Sequence, residues 1–317
     1  MSDILKALKF IQGGVCKKEN LPYQSHVLIE SGKIRSFNGN VALCSPIQID
    51  INCQPKAHPF IKVISECKDI PQISLAKNGK LDIKSGKLRV KIDCLSETMP
   101  YIVPSGTMYE CDGELLLKAI KKLISFVTRD NKRQWARGML FSQGSIFATC
   151  NVVLVQYWTN SIFAKDINIP LHCLEEIVRI NEAPKRVQIS DTSVTFHYED
   201  GRWLNSSLIS DKWPDVVEML NAESNPKPVH PELWDALKAV KSFAIANRVD
   251  FHTGKITTGE VDSEYELDGF DSIGSWGASF LLSLEDLITV IDFSKYPKPA
   301  MFYGDNLRGV IIGHHVK

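Results

Sequence analysis

The side chains best placed for chemistry in this chain are lysines at helical spacing. Lys118, Lys121 and Lys122 share one face of a segment whose other face is Leu116, Ile120, Leu123, Ile124 and Val127, with Ser125 and Arg129 extending the polar row. Lys6 and Lys9 stand opposite Leu5, Leu8 and Ile11. Lys238 and Lys241 stand opposite Leu233, Leu237, Val240 and Ala244. A row of ammonium groups on a helix face can track a run of phosphates by charge without reading sequence. On a single helix such a row is an ordinary solvated surface. Its recurrence on three segments is what points to a polyanion.

No other group of residues assembles a reaction. The sequence holds no P-loop, no dinucleotide fingerprint and no HExxH, and Gly13-Gly14 lacks the Lys-Ser/Thr that phosphate binding needs. His314-His315 invites a metal, but no carboxylate or cysteine stands at a partner spacing. The cysteines number 8, without a CxxC pair and mostly inside apolar patterns, which reads as reduced thiols rather than a disulfide framework. The expectation is a protein that is not an enzyme and has no cofactor and no metal.

Lysine plus arginine equals aspartate plus glutamate at 37 each, so the chain is neutral. A protein holding DNA by charge alone is normally basic, so neutrality argues against that class. It leaves room for one that surrounds DNA and keeps its positive charge on one surface. No apolar run approaches bilayer length, and MSDILKALKF lacks a signal-peptide core; the expectation is a cytoplasmic protein with no membrane contact.

The lysine segments open three successive units, and 317 residues are enough for two or three domains. The boundaries expected are 1–106, 107–220 and 227–317, the last shorter. Each unit reads as helix, strands, helix, strands. In the first, Asp3 opens a helix that Gly13-Gly14 weakens; strand runs with turns at Ser31-Gly32 and Asn38-Gly39 follow, then AHPFIKVISECK as a second helix and an alternating hairpin region. In the second, IFATCNVVLVQYW is strand-like, LHCLEEIVRIN is a helix, and a hairpin pattern ends in SDKWPDV. VEMLNAESNPKPVHP reads as a linker. In the third, Ser283 is expected to cap a helix through Leu284, Leu287, Ile288 and Ile291. A period of roughly 100 residues exceeds solenoid repeats of about 20–50 and fits three similar domains.

Phe147 through Leu154, reading FATCNVVL, resembles the Ala-Thr-Asp-Gly-His-Arg-Leu strand and turn of the bacterial DNA polymerase III β sliding clamps. Leu208 through Asp215, LISDKWPD, is similar to that family's Leu-Ile-x-Gly-x-Phe-Pro-Asp, and Arg308 through Gly313 stands where it ends in a short apolar strand. The likeness is to a divergent member of the kind bacteriophages carry. It implies an α+β fold of three similar clamp domains, each with two helices packed on antiparallel sheets. It further implies a head-to-tail homodimer ring around double-stranded DNA, with Lys6, Lys9, Lys118, Lys121, Lys122, Arg129, Lys238 and Lys241 on the channel helices. DNA polymerase and clamp loader would bind through short linear motifs in a groove at Thr149, Asn151, Val152, Val153, Leu154, Ile312, Gly313 and His314. Val152-Val153 replace the family's His-Arg, and Gly-His-His-Val-Lys replaces its Met-Pro-Met-Arg-Leu, so a more apolar groove suited to a phage partner is expected. The rival expectations are a phage structural or assembly protein, and an enzyme of nucleic-acid metabolism with an unrecognised site.

Overall fold

The computed structural model describes residues 3–18, 20–259 and 263–314. From the N-terminus, α1 (Asp3–Ile11) is followed by β1 (Leu28–Glu30), β2 (Lys33–Phe37), β3 (Val41–Pro46), α2 (Ala57–Glu66), β4 (Gln72–Leu75), β5 (Leu81–Ser85) and β6 (Leu88–Ile92). A leading strand β7 (Thr107–Glu110) then precedes α3 (Gly113–Leu123), β8 (Gly138–Ser142), β9 (Ser145–Thr149), β10 (Val153–Trp158), β11 (Ile167–Pro170), α4 (Leu171–Ile180), β12 (Arg186–Ile189), β13 (Ser193–His197) and β14 (Trp203–Ser207). After the short α5 (Val217–Leu220) the order returns: β15 (Lys227–Pro228), α6 (Leu233–Lys241), β16 (Arg248–His252), β17 (Lys255–Thr258), β18 (Ser263–Glu266), β19 (Gly274–Gly277), α7 (Ala278–Leu282), β20 (Val290–Asp292), β21 (Ala300–Gly304) and β22 (Leu307–Ile311). Helix, strands, helix, strands thus occurs three times. The sheets are antiparallel throughout the described residues, an α+β fold.

Local chemistry sets these elements. Asp112 caps α3, its carboxylate accepting the Leu115 N–H at 3.0 Å. Ala7, Leu8, Phe10 and Ile11 bury one side of α1, which gives way to a 3-10 turn over Gln12–Gly14. A Cβ at Gly13 would stand 1.8 Å from the Glu176 carboxylate, so that side chain would have to move to admit one.

The chain forms two compact units, Met1–Leu117 with His172–Ile209 and Lys118–Leu171 with Ser210–Lys317. In the first, one sheet runs β1-β2-β3-β14-β13-β12-β7 and another β4-β5-β6. The joint is β3 on β14, with Leu43 opposite Leu204. In the second unit the sheets are β11-β8-β9-β10-β22-β21-β20-β15 and β18-β17-β16-β19. Here the joint is β10 on β22, with Leu154 opposite Val310. The joints follow one rule: the last strand of a repeat pairs with the third strand after the first helix of the preceding repeat. The stretch 107–220 therefore gives strands to both units.

Three local expectations are corrected. The α3 helix stops at Leu123; a 3-10 turn over Ile124–Phe126 carries Phe126 and Val127 into the core, and Arg129 stands in the turn beyond. The last helix lies before Ser283, not after it. Ser283 is its C-cap, donating to the Phe280 carbonyl at 2.6 Å, while Leu284 and Ile288 are buried from turns and Ile291 from β20. Their spacing reflects burial against neighbouring elements rather than a helical period. The segment read as linker contains α5, whose Leu220 buries beside its N-cap Val216, and β15, which pairs with β20.

Candidate functional site

Lys6 and Lys9 on α1, Lys118 and Lys121 on α3, and Lys238 and Lys241 on α6 are all exposed, while Lys122 is half-buried with its ammonium 5.9 Å from the Tyr157 ring. Their recurrence is sharper than spacing alone conveys. Lys6-Ala7-Leu8-Lys9, Lys118-Ala119-Ile120-Lys121 and Lys238-Ala239-Val240-Lys241 are one tetrapeptide pattern, whose third residue is buried each time. Lysines three apart share a helix face, so each first helix presents a pair of cations above an anchored apolar residue. Lys6, Lys118 and Lys238 meet Asp200, Asp305 and Glu285 at 3.8, 3.6 and 2.5 Å. Lys9 and Lys241 form no ion pair among the described residues.

A latch holds α1 against α4. Arg179 donates to the carbonyl oxygens of Lys9 at 3.0 Å and Phe10 at 2.7 Å, which lack partners inside a helix that ends there. Beside it, Arg202 is 6% exposed, packs its guanidinium 4.7 Å from the Phe10 ring and bonds Glu182 and Asp200. Burial pushes the Asp200 carboxyl up, but hydrogen bonds and charge from Arg202 outweigh it and hold that carboxyl below its ordinary range.

The second candidate site surrounds the β10–β22 joint. The Thr149 hydroxyl donates to the Val153 carbonyl at 2.8 Å and accepts the Asn151 N–H at 3.0 Å. Asn151 holds φ at 71°, a left-handed conformation asparagine tolerates. The Ile312 N–H reaches the Val152 carbonyl at 2.9 Å, continuing the pairing of β10 with β22. The joint brings Thr149 through Leu154 beside Ile312. Gly313 and His314 run on to β19, where the His314 N–H donates to Ser275 at 2.7 Å. Thr149, Val153, Leu154 and Gly313 are buried, Val152 and Ile312 half-buried, and Asn151 and His314 exposed. Adjacent strand residues face opposite ways. Leu154 therefore enters a cluster with Phe147, Val216, Leu220, Met301 and Val310, edged by Leu140, Trp213 and Tyr303.

The residues around Leu154 include several the sequence reading passed over. α5 and its N-cap Val216 supply Val216 and Leu220 to the cluster and leave Val217 and Met219 45% and 44% exposed beside it. Trp213 packs on Trp135 with ring centroids 4.9 Å apart, and its indole N–H is buried without a partner among the described residues. The visible signal was Val216 and Leu220 at helical spacing inside a stretch dominated by its prolines and asparagines. His315 lies outside the described residues, and no cluster among the described residues could hold a metal ion. No described helix is long and apolar enough to cross a membrane.

No protein-family model matches this sequence, and a search of curated proteins finds no relative. Solved structures are another matter. The Pseudomonas aeruginosa DNA polymerase sliding clamp superposes with a TM-score of 0.85 at 16% identity, covering 99% of this chain and 97% of that one. A Caulobacter crescentus sliding clamp gives 0.84 at 18%, with 99% and 97% covered. The Helicobacter pylori β clamp bound to a DNA ligase peptide gives 0.80 at 18%, with 99% and 98% covered. From end to end, this chain has the fold of the bacterial DNA polymerase sliding clamps.

Proposed function

We propose that this protein is a DNA sliding clamp: two copies of the three-domain chain close head to tail around duplex DNA and tether a replicative polymerase to it. The observation that carries this is the rule of the two joints. β14 pairs with β3 and β22 with β10, which leaves β6 and β18, the strands of the same two kinds, each with one edge unpaired among the described residues. These edges are complementary. β6 exposes Arg89 and Lys91, with Lys87 beside it; β18 exposes Glu264 and Glu266. Applied to them, the β3–β14 register sets Glu264 opposite Arg89 and half-buried Tyr265 opposite half-buried Leu88. Opposite charges on one face and apolar residues on the other are what a cross-strand pair favours. Lys255, 2.7 Å away, holds the Glu264 carboxyl below its ordinary range and so keeps it ionised. A heterologous contact of this kind closes when the rotation per domain fits the ring.

The paired lysines on α1, α3 and α6 supply phosphate contacts that position without specifying, as sliding requires. A ring needs no excess positive charge to stay on DNA, which reconciles these lysines with a net charge of zero. The apolar surface around Leu154, Val217 and Met219 takes the short linear motifs of polymerase and clamp loader. A clamp of this fold carrying a DNA ligase peptide supports a peptide-binding role. Half-buried Val152 at its turn suits an apolar motif, as on a phage polymerase in a bacterial cytoplasm. The protein performs no chemistry itself; it raises the polymerase's local concentration at the primer end.

Light scattering behind a sizing column tests the closure. Twice the mass of one chain is expected, falling to a single chain in Arg89→Glu and returning when Arg89→Glu is mixed with Glu264→Arg. A dimer indifferent to all three combinations contradicts closure through β6 and β18.

A further inference from the structure

In the second repeat, the strand leading into the first helix lies along the edge of the second sheet: β7 runs antiparallel to β12, with Tyr109 opposite Val187. In the third repeat β15 does the same on β20. β4 holds the corresponding place in the first repeat, its Ile73 and Leu75 matching Val187 and Ile189 ahead of the next hairpin. Among the described residues, no strand lies on its outer side; the sheet ends there. Burial registers the difference. Val187 and Ile189 are 0% and 4% exposed, whereas Ile73 is half-buried and Leu75 is 46% exposed, and Ile70, just ahead of the strand, is 89% exposed.

Between β4 and the first turn of α1 lies a cleft of about 550 Å³. Ile4, Ile49, Ile51 and Ile73 line it, and Asp3 and Asp50 add negative charge. An open strand edge offers unpaired N–H and C=O groups, and an adjacent apolar cleft offers places for every second side chain of an added strand. We propose that this edge and cleft bind an extended segment of a partner polypeptide, apolar at alternate positions and carrying a lysine or arginine toward Asp3 and Asp50. Two observations identify the occupant's kind. The matching edges are filled by extended segments in both other repeats, and the cleft's charged residues are acidic. β6, the edge assigned above to ring closure, is at the other side of this sheet, so the two contacts do not compete. Strand order and burial carry this site whether or not the chain forms a ring.

The probe is a fluorescein-labelled peptide, Lys-Val-Thr-Val-Thr-Lys, with a copy N-methylated at alternate backbone amides. Titrated with the full chain, the first is expected to bind saturably and to slow amide hydrogen exchange at residues 72–75. The N-methylated copy should fail, because strand addition needs its backbone donors. Ile70→Asp, at an exposed position that leaves folding intact, should weaken binding about tenfold, and Ile73→Asp at least as much. Absence of saturable binding, equal binding of the N-methylated copy, or unchanged binding and exchange protection in Ile73→Asp would each overturn the site.

Discussion

Arg179 on α4 donates to the backbone carbonyl of Phe10 at 2.7 Å and to that of Lys9 at 3.0 Å, closing the end of α1 with a charged side chain. The same lysine whose carbonyl is capped presents its ammonium to solvent. Fold and the proposed phosphate contact thus meet at one residue through different atoms, and substitution can separate them. Arg179→Ala should cost about 1.5–3 kcal/mol, the range for hydrogen bonds to a charged group. Urea unfolding checks this. Lys9→Ala, which keeps the carbonyl, should stay within about 0.5 kcal/mol of the parent.

The exposed lysines should count in DNA binding rather than in stability. Each lysine lost should reduce the steepness of log affinity against log salt by about one unit, so in a two-chain ring Lys9→Ala or Lys241→Ala alone removes about two units and the pair about four. Affinity should fall equally for unrelated duplex sequences, since the contact is to phosphate. Fluorescence titration with two duplexes over a salt series measures both. Circular dichroism should be unchanged.

Around Leu154, a packed cluster borders the proposed peptide groove. Leu154→Ala should destabilise by about 2–5 kcal/mol, because it empties a site in a buried cluster. Val217→Asp and Met219→Asp, on the exposed side of α5, should instead leave unfolding unchanged and weaken a fluorescent polymerase-motif peptide by about tenfold. Equal peptide affinity in both surface variants would remove α5 from the groove.

Asp292 makes acid a probe of the segment leading into the third repeat. Burial pushes its carboxyl up, but hydrogen bonds from Ser294, at its hydroxyl and N–H, and from the Asn225 N–H at 2.8 Å outweigh that and hold it below the ordinary range. A carboxyl lowered on folding adds stability above its unfolded value, about 3.9, and loses it as pH falls through the folded value. The urea midpoint should therefore decline below about pH 4. Asp292→Asn should be less stable near neutral pH and show a shallower acid decline.

What the sequence disclosed follows from which forces act locally. α1, α3 and α6 were legible because a one-sided helix must bury Leu8, Ile120 or Val240 and leave its lysines in water. The turns at Gly32 and Gly39 were legible because positive φ favours glycine. The last helix was misplaced because Leu284, Ile288 and Ile291 are buried by separate elements that merely fall at helical spacing. Arg129 was put on a helix face because nothing local announces that the chain tightens after Leu123. The openness of β4, β6 and β18 could not be read at all. Whether a strand is central or at an edge depends on residues distant in sequence, such as Leu204 facing Leu43. Of the proposed groove, the positions on β9 and β10 and after β22 come from resemblance alone. α5 was hidden in a stretch whose composition signals a linker.

The central claim is that DNA passes through this protein rather than lying on it, and retention on closed against open DNA tests that most directly. The protein is mixed with nicked circular plasmid in high salt, which would screen the proposed charged β6–β18 contact, then returned to low salt and passed through a sizing column in moderate salt. A clamp should co-elute with the circle and be released when a restriction enzyme linearises it. Equal retention on circular and linear plasmid, or retention on neither by a protein that is dimeric in the same buffer, would contradict encirclement.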